Sequence, residues 1–327
     1  MLSDSFNRPH DYLRISLTDK CNLRCTYCMP AGGLEKVLHS SSRMSAEEIE
    51  KLATLFVSLG VKKIRLTGGE PLVRKDAKEI IRRLSALPVT LTLTTNGVNA
   101  DEFIAVFKEA GIRSVNLSLD SLNPETFRRI THRDEFERVH ANILLLLQEQ
   151  FHVKVNVVLM KSVNDKEIPG FIGWTRDLPL HIRFIEYMPF KDNGWSHEQV
   201  VSSDEILEVA GRHFSFSKLN DQAHDTARSF KVEGFAGTFA IISTMTHPFC
   251  GSCNRLRLTA DGKMKNCLFS KGEVDLLSAL RNGDDLESLI RLCVLDKKAE
   301  RGGQMSGSLE EIDAGKMVNR SMLAIGG

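Results

Sequence analysis

The chain has 327 residues, 42% hydrophobic and 26% charged, a globular composition that excludes disordered and collagen-like classes. Lysine and arginine number 43 against 42 aspartates and glutamates, so the net charge of +1 provides no overall field for nucleic acid or an anionic membrane. No apolar run approaches the roughly 18 residues of a membrane helix, and the first residues lack the pattern of a signal peptide. We therefore predict a cytoplasmic protein with no nucleic-acid or membrane partner.

Strand and helix patterns alternate up to about residue 190. The predicted strands are 12–17, 62–67, 89–95, 114–120, 153–159 and 181–188. A helix pattern follows the first strand, with Ser45 as N-cap, Glu48 closing a capping box and Gly60 as terminator. Helical stretches fit between the later strands. Six strand and helix units in succession predict an α/β fold with a parallel sheet and right-handed crossovers.

Within these strands apolar and polar residues alternate, as Leu13 and Ile15 do with Arg14 and Ser16. One face of the sheet can then pack under the helices while the other faces a polar lumen. A complete eight-stranded barrel fills its interior with apolar side chains and needs roughly 250 residues. We therefore predict an incomplete (βα)6 barrel over residues 1–190, followed by a small α+β domain over residues 191–327.

Three cations, Arg14, Arg65 and Lys154, fall on the polar face by this alternation. Their placement predicts a polyanionic ligand in the lumen. In the alternative interpretation some of them form structural ion pairs with the inward-facing Asp120 or Glu186.

The seven cysteines are grouped. They are Cys21, Cys25 and Cys28, then Cys250, Cys253 and Cys267, and a single Cys293. Short, uneven spacings favour metal ligation over a disulfide framework, and Cys293 in a helical pattern is interpreted as a small buried hydrophobe.

The first cysteine group follows the first strand, where catalytic groups gather in β/α barrels. Three thiolates can bind three irons of a 4Fe-4S cluster and leave the fourth iron open. The alternative is a zinc site completed by His10 or His39, although zinc loops usually space cysteines in pairs.

This loop, with Tyr27 before its last cysteine, resembles the signature of the radical S-adenosylmethionine (SAM) enzymes. The stretch Thr67–Gly68–Gly69–Glu70–Pro71, directly after the second strand, supports the resemblance. The resemblance implies a 4Fe-4S cluster on Cys21, Cys25 and Cys28. It also implies contacts with SAM from Tyr27, Gly69, Ser118 and Met188.

The second cysteine group, with the sequence Asn254–Arg257 inside it, is similar to the carboxy-terminal cluster of the GTP 3',8-cyclase family of molybdenum cofactor biosynthesis. A Cys3His zinc site completed by His247 is the alternative. The family also ends in Gly-Gly, as this chain does at Gly326 and Gly327. The resemblance implies a second 4Fe-4S cluster on Cys250, Cys253 and Cys267 and a C-terminal tail that reaches the active site.

The same resemblance implies GTP as substrate. The implied substrate contacts are Arg14, Arg65, Thr94, Lys154, Arg255, Leu256 and Arg257, and the implied catalytic group is Arg255, Arg257, Gly326 and Gly327. A radical from SAM would remove the C3' hydrogen of GTP, and C3' would then bond to C8 of guanine. A homodimer and transfer of the product to cyclic pyranopterin monophosphate synthase are further expectations.

Two rival hypotheses differ in class. A radical SAM enzyme that modifies a peptide or RNA would use the second cluster for electron transfer, but the inward cations favour a small triphosphate, and no basic stripe with aromatic residues suits RNA. A zinc-stabilised binding module would have no catalysis. The metal content of the protein separates the two classes. Iron with acid-labile sulfide would favour an enzyme, and zinc alone would favour the binding module.

Overall fold

The structure is a computed structural model that describes residues 1–29, 42–191, 193–305 and 307–326. The strands are β1 (Tyr12–Ser16), β2 (Lys63–Thr67), β3 (Thr90–Thr95), β4 (Ser114–Ser118), β5 (His152–Leu159), β6 (His181–Glu186), β7 (Phe216–Lys218), β8 (Arg228–Val232), β9 (Thr238–Ile242), β10 (Arg255–Leu258), β11 (Lys263–Lys265) and β12 (Val274–Asp275). The α-helices are α1 (Ala46–Ser58), α2 (Ala77–Ser85), α3 (Ile104–Glu109), α4 (Pro124–Thr131), α5 (Phe136–Gln148), α6 (Ile168–Trp174), α7 (Ser203–His213), α8 (Leu276–Asn282), α9 (Leu286–Leu295) and α10 (Met322–Ile325). In these ranges we find no helix with both the length and the apolar character needed to cross a bilayer.

All strands of the described ranges form one sheet in the order β12-β11-β10-β1-β2-β3-β4-β5-β6-β9-β8-β7. The six predicted strands are confirmed as neighbours that pair in parallel from β1 to β6. The sheet is open, because β12 and β7 lie at its two ends and do not pair with each other. The predicted incomplete barrel is therefore confirmed.

The alternation within the strands sorts side chains as predicted. Leu13, Ile15, Ile64 and Leu66 are fully buried in the apolar core beneath the helices. Ser45 and Glu48 form the predicted capping box at the start of α1. That cap fixes where α1 begins, so its apolar face packs onto the strands.

Strands from the C-terminal part of the chain extend both edges of this sheet. β10 pairs in parallel with β1, placing Arg257 beside Arg14 and Arg255 beside Tyr12. β9 pairs in parallel with β6 at the other edge. The sheet is thus continuous across residue 190, and the division of the chain there stays a prediction from sequence.

Candidate active site

The first cysteine loop lies just beyond the C-terminal end of β1. It is fastened to the end of α4, since Arg24 N donates to Thr131 O at 2.8 Å and Thr26 N donates to Ile130 O at 3.0 Å. Cys28 N in turn donates to Cys25 O at 3.1 Å, which folds the loop back on itself. The three thiols are free and half-buried.

The surroundings of these thiols fit an iron-sulfur cluster. Burial and then Glu70 raise the pKa of Cys21 to about 11, and burial, Cys21 and Asp120 raise the pKa of Cys28 to about 12. Burial and then Asp120 raise the pKa of Cys25 well above its usual range. Three neighbouring thiols that resist ionisation need added positive charge to become thiolates, and bound iron supplies it.

Asn193 ties two predicted SAM contacts together, although the sequence did not indicate it. Its Nδ2 donates to Tyr27 O at 3.2 Å and to Met188 O at 3.0 Å. Tyr27 Oη donates to Asp120 Oδ2 at 2.7 Å. Ser118 is half-buried at the C-terminal end of β4. The structure therefore gathers these residues around the same end of the sheet as the cysteine loop.

Gly69 lies directly against the chain that leads into this loop. Its N–H donates to Thr18 O at 2.6 Å, and a Cβ at this position would lie 2.4 Å from Lys20 O. Any side chain would push the two segments apart. The glycine therefore allows the two backbone segments to approach closely, and its contact with SAM stays a prediction.

The second cysteine loop lies at the opposite end of the adjacent strand. Cys250 and Cys253 precede β10, and Cys267 follows β11. Tyr12, the first residue of β1, pairs with Arg255, the first residue of β10. Since the first loop follows the last residue of β1, this strand, which is roughly 13 Å long at about 3.3 Å per residue, lies between the two loops.

The second loop is rich in donors to sulfur. Arg301 N donates to Cys250 Sγ at 3.4 Å, and Lys297 Nζ donates to Cys253 Sγ at 3.5 Å. Burial would raise the pKa of Cys253, but the charges of Arg255 and Lys297 lower it to about 7. This donor set suits a thiolate-bound cluster, whose sulfurs accept such hydrogen bonds.

The two histidines of the zinc alternatives that the structure describes contact groups other than cysteines. His10 contacts Asp4 and Lys297, and His247 is exposed beside Asp204. A single zinc ion, with ligands about 2.3 Å away, would need its donors within about 4 Å of one another. His39 lies outside the described residues.

Between the two loops lies a cluster of cationic side chains on the polar face of the sheet. Arg65 is 5% exposed. It donates through Nε to Tyr12 Oη and through Nη1 to Leu93 O at 3.1 Å and Thr94 Oγ1 at 3.3 Å. Burial and then Arg183 lower the pKa of Lys154 to about 8. We call Arg14, Lys63, Arg65, Lys154, Arg183, Arg255 and Arg257 the lumen cations.

The lumen cations repel one another. Burial and then Arg65 lower the pKa of Arg183 to about 9, and burial and then Arg255 lower that of Arg257 to about 10. Among the buried atoms of the described residues, Arg183 Nε and Arg255 Nε and Nη2 have no hydrogen-bond partner. Donors of this kind in a buried cationic site fit a polyanionic ligand.

The carboxylates named in the alternative interpretation are used elsewhere. Asp120 accepts hydrogen bonds from Tyr27 and from Val158 N. Glu186 accepts from Ser203 N, Met245 N and the backbone and hydroxyl of Thr246, which anchors the C-terminal part of the chain to β6. Among the described residues, neither forms an ion pair with Arg65 or Lys154.

Three residues of this site were not identified from sequence: Tyr12, Lys63 and Arg183. Lys63 Nζ lies 4.9 Å from the centre of the Tyr12 ring. The same alternation that placed Arg65 in the lumen would have found them, because Arg183 lies between the buried Ile182 and Phe184. Leu256, in contrast, is buried in the apolar core, so any contact with substrate would come from its backbone.

The C-terminal tail enters the same lumen. Gly326 is buried, and its carbonyl oxygen accepts a hydrogen bond from Arg257 Nη1. Gly326 thus lies beside Arg257, another predicted site residue, and the role of the tail in the reaction stays a prediction. Gly327 lies outside the described residues.

Comparison with known families agrees with this arrangement. Residues 15–175 match the model of the Radical SAM superfamily, and residues 180–302 match that of Molybdenum Cofactor Synthesis C. Two solved structures of Streptococcus suis SuiB, one bound to S-adenosylmethionine and one to its precursor peptide SuiA, share the fold. Their TM-scores are 0.60 and 0.61 at 13% and 14% identity, covering 87% of this chain and 68% and 67% of theirs. Fold and cysteine loop are those of the radical SAM class.

Curated relatives narrow the assignment. The mitochondrial GTP 3',8-cyclase of Arabidopsis thaliana is 45% identical over all of this chain and 84% of its own length. The GTP 3',8-cyclase of Petrotoga mobilis (strain DSM 10674 / SJ95) is 43% identical over 84% of this chain and 85% of its own length. The chain therefore belongs to the GTP 3',8-cyclase family. It spans about half the length of animal relatives such as molybdenum cofactor biosynthesis protein 1 of Mus musculus, which is 44% identical over 99% of this chain and 51% of its own length.

Proposed function

We propose that this chain is a radical SAM GTP 3',8-cyclase that converts GTP to (8S)-3',8-cyclo-7,8-dihydroguanosine 5'-triphosphate, the first step of molybdenum cofactor biosynthesis. The observation that carries the proposal is the group of lumen cations between two cysteine loops at opposite ends of β1 and β10. A triphosphate supplies the negative charge that these buried cations lack.

Cys21, Cys25 and Cys28 would hold the first cluster, which would supply the electron for reductive cleavage of SAM and so the radical chemistry at C3' of GTP. The chain itself contributes placement. Arg65, Lys154 and Arg183 lie on the β2, β5 and β6 side of the sheet and would hold the triphosphate. Arg255 and Arg257 lie on β10, next to the second cysteine loop, and would hold the nucleoside.

Such placement matters because a near-attack geometry removes much of the entropic barrier to reaction. The ribose would lie between the two groups of cations, facing the end of β1 where SAM is expected. Gly326, bonded to Arg257, would cover this position and limit the entry of water. These residues bind, orient and shield the substrate, and the radical chemistry belongs to the cofactor.

Three further expectations belong to this proposal. The product would pass to cyclic pyranopterin monophosphate synthase, the chain would form a homodimer, and it would act in the cytoplasm. The first two are supported by the family resemblance.

The test is an anaerobic assay of the full chain with reconstituted clusters, SAM and dithionite, with and without GTP. We expect 5'-deoxyadenosine together with a new product of the mass of GTP, and the product only when GTP is present. Mass spectrometry measures both. A variant carrying Cys21→Ala, Cys25→Ala and Cys28→Ala should form neither, whereas Cys293→Ala, which removes a cysteine outside both loops, should form both.

Two results would overturn parts of the proposal. If SAM is cleaved but GTP is recovered unchanged, the substrate assignment fails and a peptide or RNA substrate takes its place. If the reconstituted chain binds zinc without iron or sulfide, the radical chemistry itself fails.

A further inference from the structure

A lysine outside the predicted site lies directly behind the second cysteine loop. Lys297 follows α9 and is 3% exposed. Its ammonium group donates to Cys253 Sγ at 3.5 Å and to Arg255 O at 3.0 Å, and lies 3.5 Å from His10 Nδ1. A sulfur atom, a carbonyl oxygen and an imidazole therefore surround a buried cation.

No carboxylate of the described residues pairs with this ammonium group. The nearest one in the network, Asp4, is separated from it by His10, whose Nε2 lies 3.1 Å from Asp4 Oδ2. Asp4 is already balanced, because Arg8 Nε donates to it at 2.6 Å. With Nε2 directed at Asp4, the imidazole leaves the lone pair of Nδ1 facing Lys297, which is the neutral form of the ring. The charge of Lys297 is thus uncompensated by any side-chain carboxylate around it.

A buried ammonium group is costly unless an anion balances it. The sulfur of Cys253 becomes that anion when it ligates iron, since metal ligation requires the thiolate. The geometry therefore pairs Lys297 with the cluster and not with another part of the protein. The backbone around it is held firmly, because Arg8 Nη1 donates to Cys250 O at 2.8 Å and to Ala299 O at 2.7 Å.

We infer that Lys297 is a positioning residue that balances negative charge on the second cluster through Cys253 and thereby raises the reduction potential of that cluster. The inference rests on the proposed function for the presence of a 4Fe-4S cluster at Cys250, Cys253 and Cys267. Hydrogen bonds to ligand sulfur and nearby positive charge both stabilise the more reduced, more negative cluster.

The experiment isolates the second cluster. In the full chain carrying Cys21→Ala, Cys25→Ala and Cys28→Ala, only the second cluster contributes to the electron paramagnetic resonance signal during a redox titration. Lys297→Met removes the charge at similar size, and Lys297→Arg keeps it. Lys298→Met is the matched control, because Lys298 is exposed, pairs with Asp296 and lies one residue away.

We expect a more negative potential in Lys297→Met, a potential near that of the parent in Lys297→Arg, and no change in Lys298→Met. If Lys297→Met folds without assembling a cluster, Lys297→Gln replaces it, because glutamine keeps a hydrogen-bond donor but carries no charge. We expect the same shift to a more negative potential in Lys297→Gln. The inference is overturned if a fully loaded Lys297→Met or Lys297→Gln keeps the parent potential. It is also overturned if the reduction potential of Lys297→Arg shifts as far as that of Lys297→Met.

These outcomes are separable from failure of the proposed function. The potential is measured without SAM or GTP, so a chain that does not cyclise GTP can still show the shift. Conversely, if the chain cyclises GTP but Lys297→Met leaves the reduction potential unchanged, only the role of Lys297 is abandoned. Zinc in place of iron at the second loop would overturn this inference and the second-cluster part of the function together.

Discussion

Arg257 Nη1 donates a hydrogen bond of 2.5 Å to the carbonyl oxygen of Gly326, joining β10 to the last described residue of the chain. Both groups are buried. The bond places the C-terminal tail across the polar face of β1 and β2, where Ser16 and Thr67 lie against it. A cation predicted to contact substrate thus also holds the tail that would cover the substrate.

Gly326→Ala should displace this tail. Gly326 has φ +85°, and a Cβ there would lie 2.7 Å from Thr67 Oγ1 and 2.8 Å from Ser16 Cβ. The strain of about 1–3 kcal/mol for a side chain in this sparsely populated positive-φ conformation, added to the clash, favours release of the tail. We expect kcat/KM for GTP to fall about tenfold or more, with SAM affinity unchanged.

Gly211→Ala is the matched control, because Gly211 lies in α7 with open space around the position of a Cβ. Its activity should equal that of the parent. Steady-state kinetics with GTP and equilibrium binding of SAM measure both variants. If Gly326→Ala kept the kcat/KM of the parent, the C-terminal tail would have no role in the active site.

Arg183→Met should weaken GTP binding and stabilise the free protein. A charge-assisted hydrogen bond contributes about 1.5–3 kcal/mol, so KM should rise about ten- to hundredfold. Without GTP, Arg183 is repelled by Arg65, and its removal should raise the melting temperature. The control is Arg176→Met, an exposed arginine over the Phe235 ring, which should lower the melting temperature slightly and leave KM unchanged. A parent-like KM in Arg183→Met would place the triphosphate elsewhere.

Strand alternation explains how much of this site the sequence could predict. It placed Arg14, Arg65 and Lys154 on one face, and the same rule applies to Arg183. Lys297 and Asn193, in contrast, lie outside strands, where no periodicity indicates which way a side chain points. Their contacts depend on long-range packing, such as the pairing of β10 with β1, which no local pattern in the sequence specifies.

Asn193→Ala should weaken SAM binding. Asn193 is 7% exposed, and its side chain donates to Tyr27 O and Met188 O and accepts from Phe190 N and Trp195 N. Leaving these buried groups without partners costs about 1–3 kcal/mol, so the Kd for SAM should rise about tenfold. Asn99→Ala is the control, because Asn99 precedes the short 3-10 helix Ala100–Phe103 and makes no side-chain capping bond there. Equal SAM affinity in the two variants would show that Asn193 does not shape the SAM site.

Tyr12→Phe should change how GTP binding depends on pH. Burial would raise the pKa of Tyr12, but Arg65 and Arg14 lower it to about 7. As the pH rises through 7, the phenol loses its proton and becomes a negative charge among the lumen cations. This charge competes with the triphosphate, whose own charge changes little above the last pKa of its terminal phosphate, which is roughly 6 as in a phosphate monoester.

In the parent, the Kd for GTP should therefore rise between pH 7 and 8, by at most about tenfold per pH unit. In Tyr12→Phe the rise over this interval should be smaller, about twofold by pH 8, because only Lys154, whose pKa is lowered to about 8 by burial and Arg183, then loses its proton. Isothermal titration calorimetry without reductant, at pH 6.5, 7.5 and 8.5 in about 0.1 M salt, measures the affinity without turnover. Identical pH profiles for the two proteins would show that the Tyr12 phenol does not titrate in this range, and the competition between phenolate and triphosphate would be abandoned.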